Sequence, residues 1–180
     1  MRVIAGTAGG VRLGRVPPGT RPVSDRAREG LFSSLGDRVP GARCADLFAG
    51  TGAMGIEALS RGAASCLFVD AGAAAVRAVR ENLDRTGLTD RATVVRGDVV
   101  AALDRHPGPF DLVMLDPPYA HPADALGGVL VRLAAVVADG ATVALTRPKG
   151  NPTDVIPVHW RVVRTLTYGD TRILVLQEAV

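Results

Sequence analysis

The chain has 180 residues, 47% of them hydrophobic, and no apolar run approaches the roughly 20 residues that cross a bilayer, so one soluble α/β domain is expected and a membrane span is excluded. The formal net charge of +3 is unevenly placed: the first 43 residues hold eight arginines against three acids, a surplus of five, which leaves the remainder two units acidic. A basic entry segment on a mildly acidic body suits a polyanion, because arginine neutralises phosphates and releases their counterions, although solvated surface charge accounts for the same count.

Met1-Arg2-Val3-Ile4-Ala5-Gly6 has no apolar core of signal-peptide length, which points to the cytoplasm. The short apolar runs at 2–5 and 11–16 flank Thr7-Ala8-Gly9-Gly10 and read as a glycine-rich β-hairpin rather than a phosphate loop; Pro17-Pro18-Gly19 ends it. This predicts a hairpin extension over residues 1–20 and a main domain over 21–180. Ala27, Leu31 and Leu35 recur at helical spacing from Ser24, with Gly36 as the stop. Strand and helix then alternate: strand 45–48, helix 54–61 closed by Gly62, strand 66–69, helix 73–86 ended by Gly87, strand 93–96, a short helix from Val99, strand 112–115, a helix from Pro122 to Val137, and strand 141–145. Residues 161–167 and 172–177 alternate about Tyr168-Gly169-Asp170-Thr171 and predict an antiparallel hairpin. The expected architecture is a mainly parallel sheet with an antiparallel C-terminal edge. Cys44 and Cys66 sit beside core strands without ligand spacing and read as buried free thiols.

Chemistry concentrates where the strands end. Asp46-Leu47-Phe48-Ala49-Gly50-Thr51-Gly52-Ala53-Met54-Gly55 runs a strand into glycines that open a helix, where backbone N–H groups can receive an anion. The spacing of Gly50, Gly52 and Gly55 also satisfies the dinucleotide pattern, a weak signal by itself. Asp46 tilts the balance: a carboxylate in an apolar strand is costly unless paired, and a cationic ligand group offsets that cost, as would a turn N–H or an arginine. Asp70, after the second strand, can accept from both hydroxyls of a ribose or cap a helix, and Asp98, after the third, can accept from an adenine amino group or cap a helix. Their order matches the ammonium, ribose and adenine of S-adenosylmethionine.

Asp116-Pro117-Pro118-Tyr119 follows the fourth strand. Two prolines remove two N–H donors, so their carbonyls and the Asp116 carboxylate form an acceptor-only ledge, or else simply a proline-terminated strand with a packed tyrosine. An exocyclic base amine suits that ledge, since gripping its hydrogens directs a delocalised nitrogen lone pair towards an electrophile, and Tyr119 can stack on the base.

These motifs, with Arg2-Val3-Ile4-Ala5-Gly6, Arg21-Pro22-Val23-Ser24-Asp25-Arg26-Ala27-Arg28-Glu29 and Ile56-Glu57-Ala58-Leu59-Ser60-Arg61-Gly62-Ala63, resemble the bacterial 16S rRNA guanine-N2 methyltransferases across almost the whole chain. The resemblance implies a Rossmann-like methyltransferase fold with a seven-stranded sheet, and S-adenosyl-L-methionine bound by Asp46, Phe48, Gly50, Gly52, Asp70, Ala71, Asp98, Val99 and Asp116. It implies catalysis at Asp116, Pro117, Pro118 and Tyr119, and RNA contact by Arg2, Arg12, Arg15, Arg21 and Arg26, with residues 21–28 helping to close the site. The implied partner is 16S rRNA, within a small ribosomal subunit or an assembly intermediate, for a monomeric enzyme that needs no metal. Two departures stand out. The turn Thr7-Ala8-Gly9-Gly10 is nearly neutral where the family is richer in lysine and aromatics, so either RNA grip there is weaker or Arg2, Arg12 and Arg15 carry more of it. The acid common after the sixth strand is absent from Ala144-Leu145-Thr146-Arg147.

The expected reaction is direct methyl transfer to a guanine flipped from its helix. His106, His121 and His159 lack ligand spacing and are expected to be surface or structural residues, and no cysteine beside the ledge supports a thiol adduct. The rivals are adenine-N6 methylation of DNA, methylation of a protein or small-molecule amine, an NAD-dependent dehydrogenase, and an RNA-binding assembly factor without catalysis.

Overall fold

The computed structural model describes residues 1–14, 22–118, 120–150 and 156–179. Helix α1 (Asp25–Leu35) begins where the Ser24 hydroxyl accepts the Ala27 N–H and ends at Gly36, whose φ of 51° suits glycine. The alternating elements follow: β1 (Arg43–Leu47), α2 (Ala53–Ser60), β2 (Ser65–Asp70), α3 (Ala73–Thr86), β3 (Ala92–Arg96), α4 (Val99–Arg105), β4 (Phe110–Leu115), α5 (Ala123–Ala134) and β5 (Val137–Pro148). Strands β6 (Trp160–Tyr168) and β7 (Thr171–Glu178) close the chain as an antiparallel hairpin.

One sheet results, in the order β3-β2-β1-β4-β5-β7-β6, parallel from β3 through β5 and antiparallel at β7 and β6. Parallel strands need cover on both faces. Alternation along the strands supplies it: Cys44, Phe68, Leu112 and Met114 join α1, α2 and α3 in one core, while Leu47, Val69, Val113 and Leu115 join α4 and α5 in the other. The strand order reverses between β1 and β4, so the crevice at their carboxyl ends is where an open α/β sheet binds ligands. Among the described residues, no helix is long and apolar enough to cross a membrane.

Several predicted boundaries shift, among them β5, expected over 141–145 and observed over Val137–Pro148. The helix expected to reach Val137 stops at Ala134, because the Val136 carbonyl accepts the Phe110 N–H and Val137 pairs with Phe110 in the sheet. Pairing takes residues through which the apolar stripe alone would have continued. The N-terminal segments form a tight hairpin with a single bridge, Arg2 opposite Arg12, rather than two strands. The predicted second arm runs on into residues 15 and 16, outside the described residues.

Helix α2 holds this hairpin. The Glu57 carboxylate accepts the N–H groups of Ile4 (2.8 Å) and Ala5 (3.1 Å), and Ser60 accepts from Ala8 through its hydroxyl (3.0 Å) and from Thr7 through its carbonyl (2.8 Å). Gly6 is needed at that contact: a Cβ there would lie 1.9 Å from the Ser60 carbonyl oxygen. Buried Arg28 completes the dock by donating to the Arg2 carbonyl and to Asp25, with its Nε 3.9 Å from Glu57. At the far end, Asn82 of α3 accepts the Gly14 N–H and donates to the Thr51 carbonyl, tying the hairpin to the glycine turn after β1.

Candidate functional site

A cavity of about 630 Å³ opens at the carboxyl ends of β1, β2, β3 and β4, within the size range of small-ligand pockets. Asp46, Phe48, Gly50, Asp70, Ala71, Asp98, Val99, Asp116, Pro117 and Pro118 all line it, so the fold gathers residues spread over more than seventy positions of sequence. Gly52 does not line it. Its φ of 76° starts α2, and a Cβ there would press on Val79 and Phe68 at 3.2–3.3 Å; at Gly55 a Cβ would lie 2.4 Å from the Phe68 ring. Those two glycines let α2 and α3 close on β2, and Gly52, expected to contact the cofactor, stands outside the residues that line the cavity.

The three strand-end carboxylates differ in how far the protein already satisfies them. Asp46 is 2% exposed, and its Oδ2 accepts the Gly55 N–H at 2.8 Å. The alternative of a turn bond is therefore realised on one oxygen, yet burial, with Asp116 and Asp70 nearby, still pushes its carboxyl up to about 8. The Gly55 bond opposes that rise without cancelling it. A cationic group beside Asp46 would restore its charged form. Asp70 accepts from Gly50 N (2.9 Å) and Gly72 N (2.8 Å), one bond per oxygen, which fixes the carboxylate at the rim while each oxygen retains accepting capacity for a diol. Asp98 caps α4 through Oδ1, which accepts the Ala101 N–H at 3.0 Å. The helix cap takes one oxygen, and the residue also lines the cavity.

Asp116 stands apart. Its N–H donates to the Leu47 carbonyl (3.4 Å), but its carboxylate accepts no hydrogen bond among the described residues, and burial alone pushes it up to about 7. It opens the ledge that Pro117 and Pro118 continue along the cavity wall. Pro118 offers its carbonyl to the His121 N–H at 2.8 Å. Tyr119, Arg15 and Arg21 lie outside the described residues.

Phe48 shows local strain. Among the described residues it is the one non-glycine with positive φ, 63°, a conformation costly for a bulky side chain and concentrated in proteins at functional sites. This backbone turns its ring to the cavity, edge-on to His121 with centroids 4.9 Å apart. Sequence reading assigned His121 to surface or structure; it lines the cavity, and its buried Nε2 has no hydrogen-bond partner among the described residues. Its position just past the proline ledge was the available signal. Pro22 and Val23, within the segment expected to help close the site, line the cavity, as do Thr51 and Met54, whose small or apolar side chains look in sequence like any core residue.

Of the expected RNA-contacting arginines, Arg2 and Arg12 face solvent opposite one another on the hairpin, and Arg26 is exposed on α1. Arg28, within the segment expected to close the site, is instead buried and spent on the hairpin dock.

Residues 1–177 match the family described as conserved hypothetical protein 95. Ribosomal RNA small subunit methyltransferase D of Escherichia coli K12 is 33% identical over 171 residues, covering 94% of this chain and 85% of its own. Among solved structures, yhhF from Escherichia coli superposes with a TM-score of 0.84 at 31% identity, covering 99% of this chain and 97% of the other. A hypothetical protein from Thermus thermophilus gives 0.82 at 33% identity over 97% and 98%.

Proposed function

The chain belongs to the conserved hypothetical protein 95 family, that of ribosomal RNA small subunit methyltransferase D, and from this premise we propose that it methylates the exocyclic N2 amino group of a guanine in 16S rRNA, with S-adenosyl-L-methionine as donor. That it is an S-adenosylmethionine-dependent rRNA methyltransferase follows from its relatives. The observation that carries the finer reading is the placing of a donor-free ledge, Asp116-Pro117-Pro118, on the same cavity as Asp46, Asp70 and Asp98.

The residues present fit the cofactor. Asp46, raised to about 8 and buried, suits the α-ammonium; Asp70 suits the ribose hydroxyls; Asp98 and Val99 suit the adenine edge and face, and Phe48, Gly50 and Ala71 complete the wall. When bound, S-adenosylmethionine supplies an electrophilic methyl group on a sulfonium. The chain's task is then to hold the acceptor nitrogen in line with it.

Asp116 and the Pro117 carbonyl accept the two N–H groups of the amine, which fixes the nitrogen and turns its lone pair to the methyl. An amine nitrogen that takes the methyl would become cationic and would surrender one proton. Asp116, with a carboxyl near 7, is positioned to receive it. Tyr119 stacks on the base, and the base reaches the ledge by flipping, at a cost of a few kcal/mol that is smaller in an unpaired loop. Alignment supplies most of the acceleration, since well-oriented reactants attain effective molarities of about 10⁵–10⁸ M. The exposed pair Arg2 and Arg12, with Arg15, Arg21 and Arg26, grips RNA phosphates from the hairpin side. The protein works in the cytoplasm as a monomer, on a small ribosomal subunit or its assembly intermediate.

The test is transfer of a labelled methyl group to undermethylated small ribosomal subunits, free 16S rRNA and duplex DNA in parallel, followed by nucleoside analysis. N2-methylguanine from an RNA substrate is expected. N6-methyladenine from DNA would overturn the substrate, and binding of RNA with no transfer to any of the three would overturn the catalytic reading.

A further inference from the structure

Beside the ledge, β5 carries an arginine without a counter-charge among the described residues. Arg147 is 5% exposed, its Nε and Nη1 are buried without a hydrogen-bond partner, and no carboxylate among the described residues lies within ion-pair distance of it. Its register partner on the antiparallel neighbour β7 is another arginine, Arg172. Residues directly opposite in such a ladder project on the same face with Cβ atoms about 4.5–5.5 Å apart, and like charges so placed destabilise the sheet. Burial, with Arg172 adding to it, lowers the Arg147 pKa. A buried guanidinium without an acid beside it costs folding energy, and an anion arriving there removes that cost.

Position identifies the anion. Strands β4 and β5 run parallel in register through Leu115 and Leu145. Arg147 stands two residues beyond that rung, as Pro117 does, so the arginine pair flanks the acceptor ledge along the carboxyl edge. It lies on the side of the ledge away from β1, β2 and β3 and their three aspartates. A nucleotide whose base amine rests on Asp116 and Pro117 carries its own phosphates a short distance from that ledge, and guanidinium groups in pairs match phosphate geometry.

We infer that Arg147, with Arg172 across the ladder, forms a binding site for a backbone phosphate of the RNA strand adjoining the target guanine. The inference rests on the rRNA reading above. The site is separate from the hairpin arginines, and it holds the nucleotide being modified rather than the surrounding RNA.

The experiment compares wild-type protein with Arg147→Gln, Arg147→Met and Arg147→Lys on an unmodified 16S rRNA transcript. Binding is measured between about 50 and 200 mM salt, where each lost phosphate contact lowers the slope of log affinity against log salt by about 0.7–0.9. Gln and Met are expected to lower the slope by that amount and Lys to retain it, with cofactor affinity unchanged in all three. Met is also expected to raise the melting temperature, because it fills the same space without the unpaired charge; an arginine serving only the fold would lower it. A methylphosphonate at a linkage flanking the methylated guanine should weaken wild-type binding and leave the Gln variant unaffected. Equal slopes and equal sensitivity to the methylphosphonate in wild type and variants would overturn the phosphate site. So would a shift in base preference at constant slope, which would make Arg147 a reader of the base edge. Guanine methylation by the wild-type protein on the same transcript is scored alongside, so failure of the rRNA reading is told apart from failure of this site.

Discussion

The two halves of the sheet's carboxyl edge differ in what their charged groups lean on. At β1, β2 and β3, each aspartate already accepts at least one backbone N–H: Asp46 from Gly55, Asp70 from Gly50 and Gly72, Asp98 from Ala101. At β4 and β5, Asp116 accepts none among the described residues, and Arg147 keeps two buried nitrogens without partners there. The first half is built before its ligand arrives, as suits a small molecule bound in one pose. The second is left incomplete, and a flexible polynucleotide supplies what it lacks on docking. Unsatisfied groups are a stability cost, so Asp116 and Arg147 mark on this half of the edge where binding energy can be recovered.

The widest gap between the halves should appear at Asp116. Asp116→Ala removes the ledge's charged acceptor and is expected to reduce turnover by about 10²–10⁴-fold, the scale of a positioned acid–base group. Cofactor affinity, measured by calorimetry, should change far less than turnover, since the Asp116 carboxylate is assigned to the acceptor amine and acts on Asp46 only through space. Equal losses in both quantities would dissolve the division.

Asp46 tests the other half through protons. Its carboxyl lies near 8, so at pH 7 it is mostly protonated before a cation arrives. Cofactor binding at pH 7 should therefore release a proton, seen as a dependence of the binding heat on buffer ionisation, and affinity should rise with pH between about 6 and 7.5. Asp46→Asn should suppress most of that release and weaken binding by at least about 30-fold, the scale of losing a buried charge partner. Stability moves the opposite way. A carboxyl whose folded pKa is raised contributes stability below its unfolded value, about 4, and loses it as pH rises through about 8. The Asn variant should thus melt higher than wild type at pH 8, with the difference shrinking at pH 5.

Much of this was legible in the sequence, for physical reasons that also mark where reading stopped. Helix α3 runs from Ala73 to Thr86 as its stripe and Gly87 require, and the ligand edge could be placed because βα alternation puts strand ends on one side. The docking of the hairpin could not be read. Glu57 and Ser60 look like ordinary residues of an amphipathic helix, and only the fold brings them to Ile4, Ala5 and Ala8. Gly52 and Gly55 fit a ligand-loop pattern but answer to the Phe68 ring, because a spacing of glycines records close approach without saying what approaches. Arg28 sat among arginines that read as RNA contacts and proved internal, since charge counts carry no information about burial.

Asp98 gives the smallest and most discriminating effect, because it serves the fold and the cavity with different oxygens. Asp98→Ala should cost about 1 kcal/mol of stability through the lost α4 cap, along with any contact to the adenine. Asp98→Ser keeps a hydroxyl able to cap Ala101 and should recover most of the stability. If the second oxygen binds the cofactor, the serine variant should still bind it several-fold more weakly than wild type while melting near the wild-type temperature. Recovery of both together would reduce Asp98 to a helix cap, and the pre-built half of the edge would then rest on Asp46 and Asp70 alone.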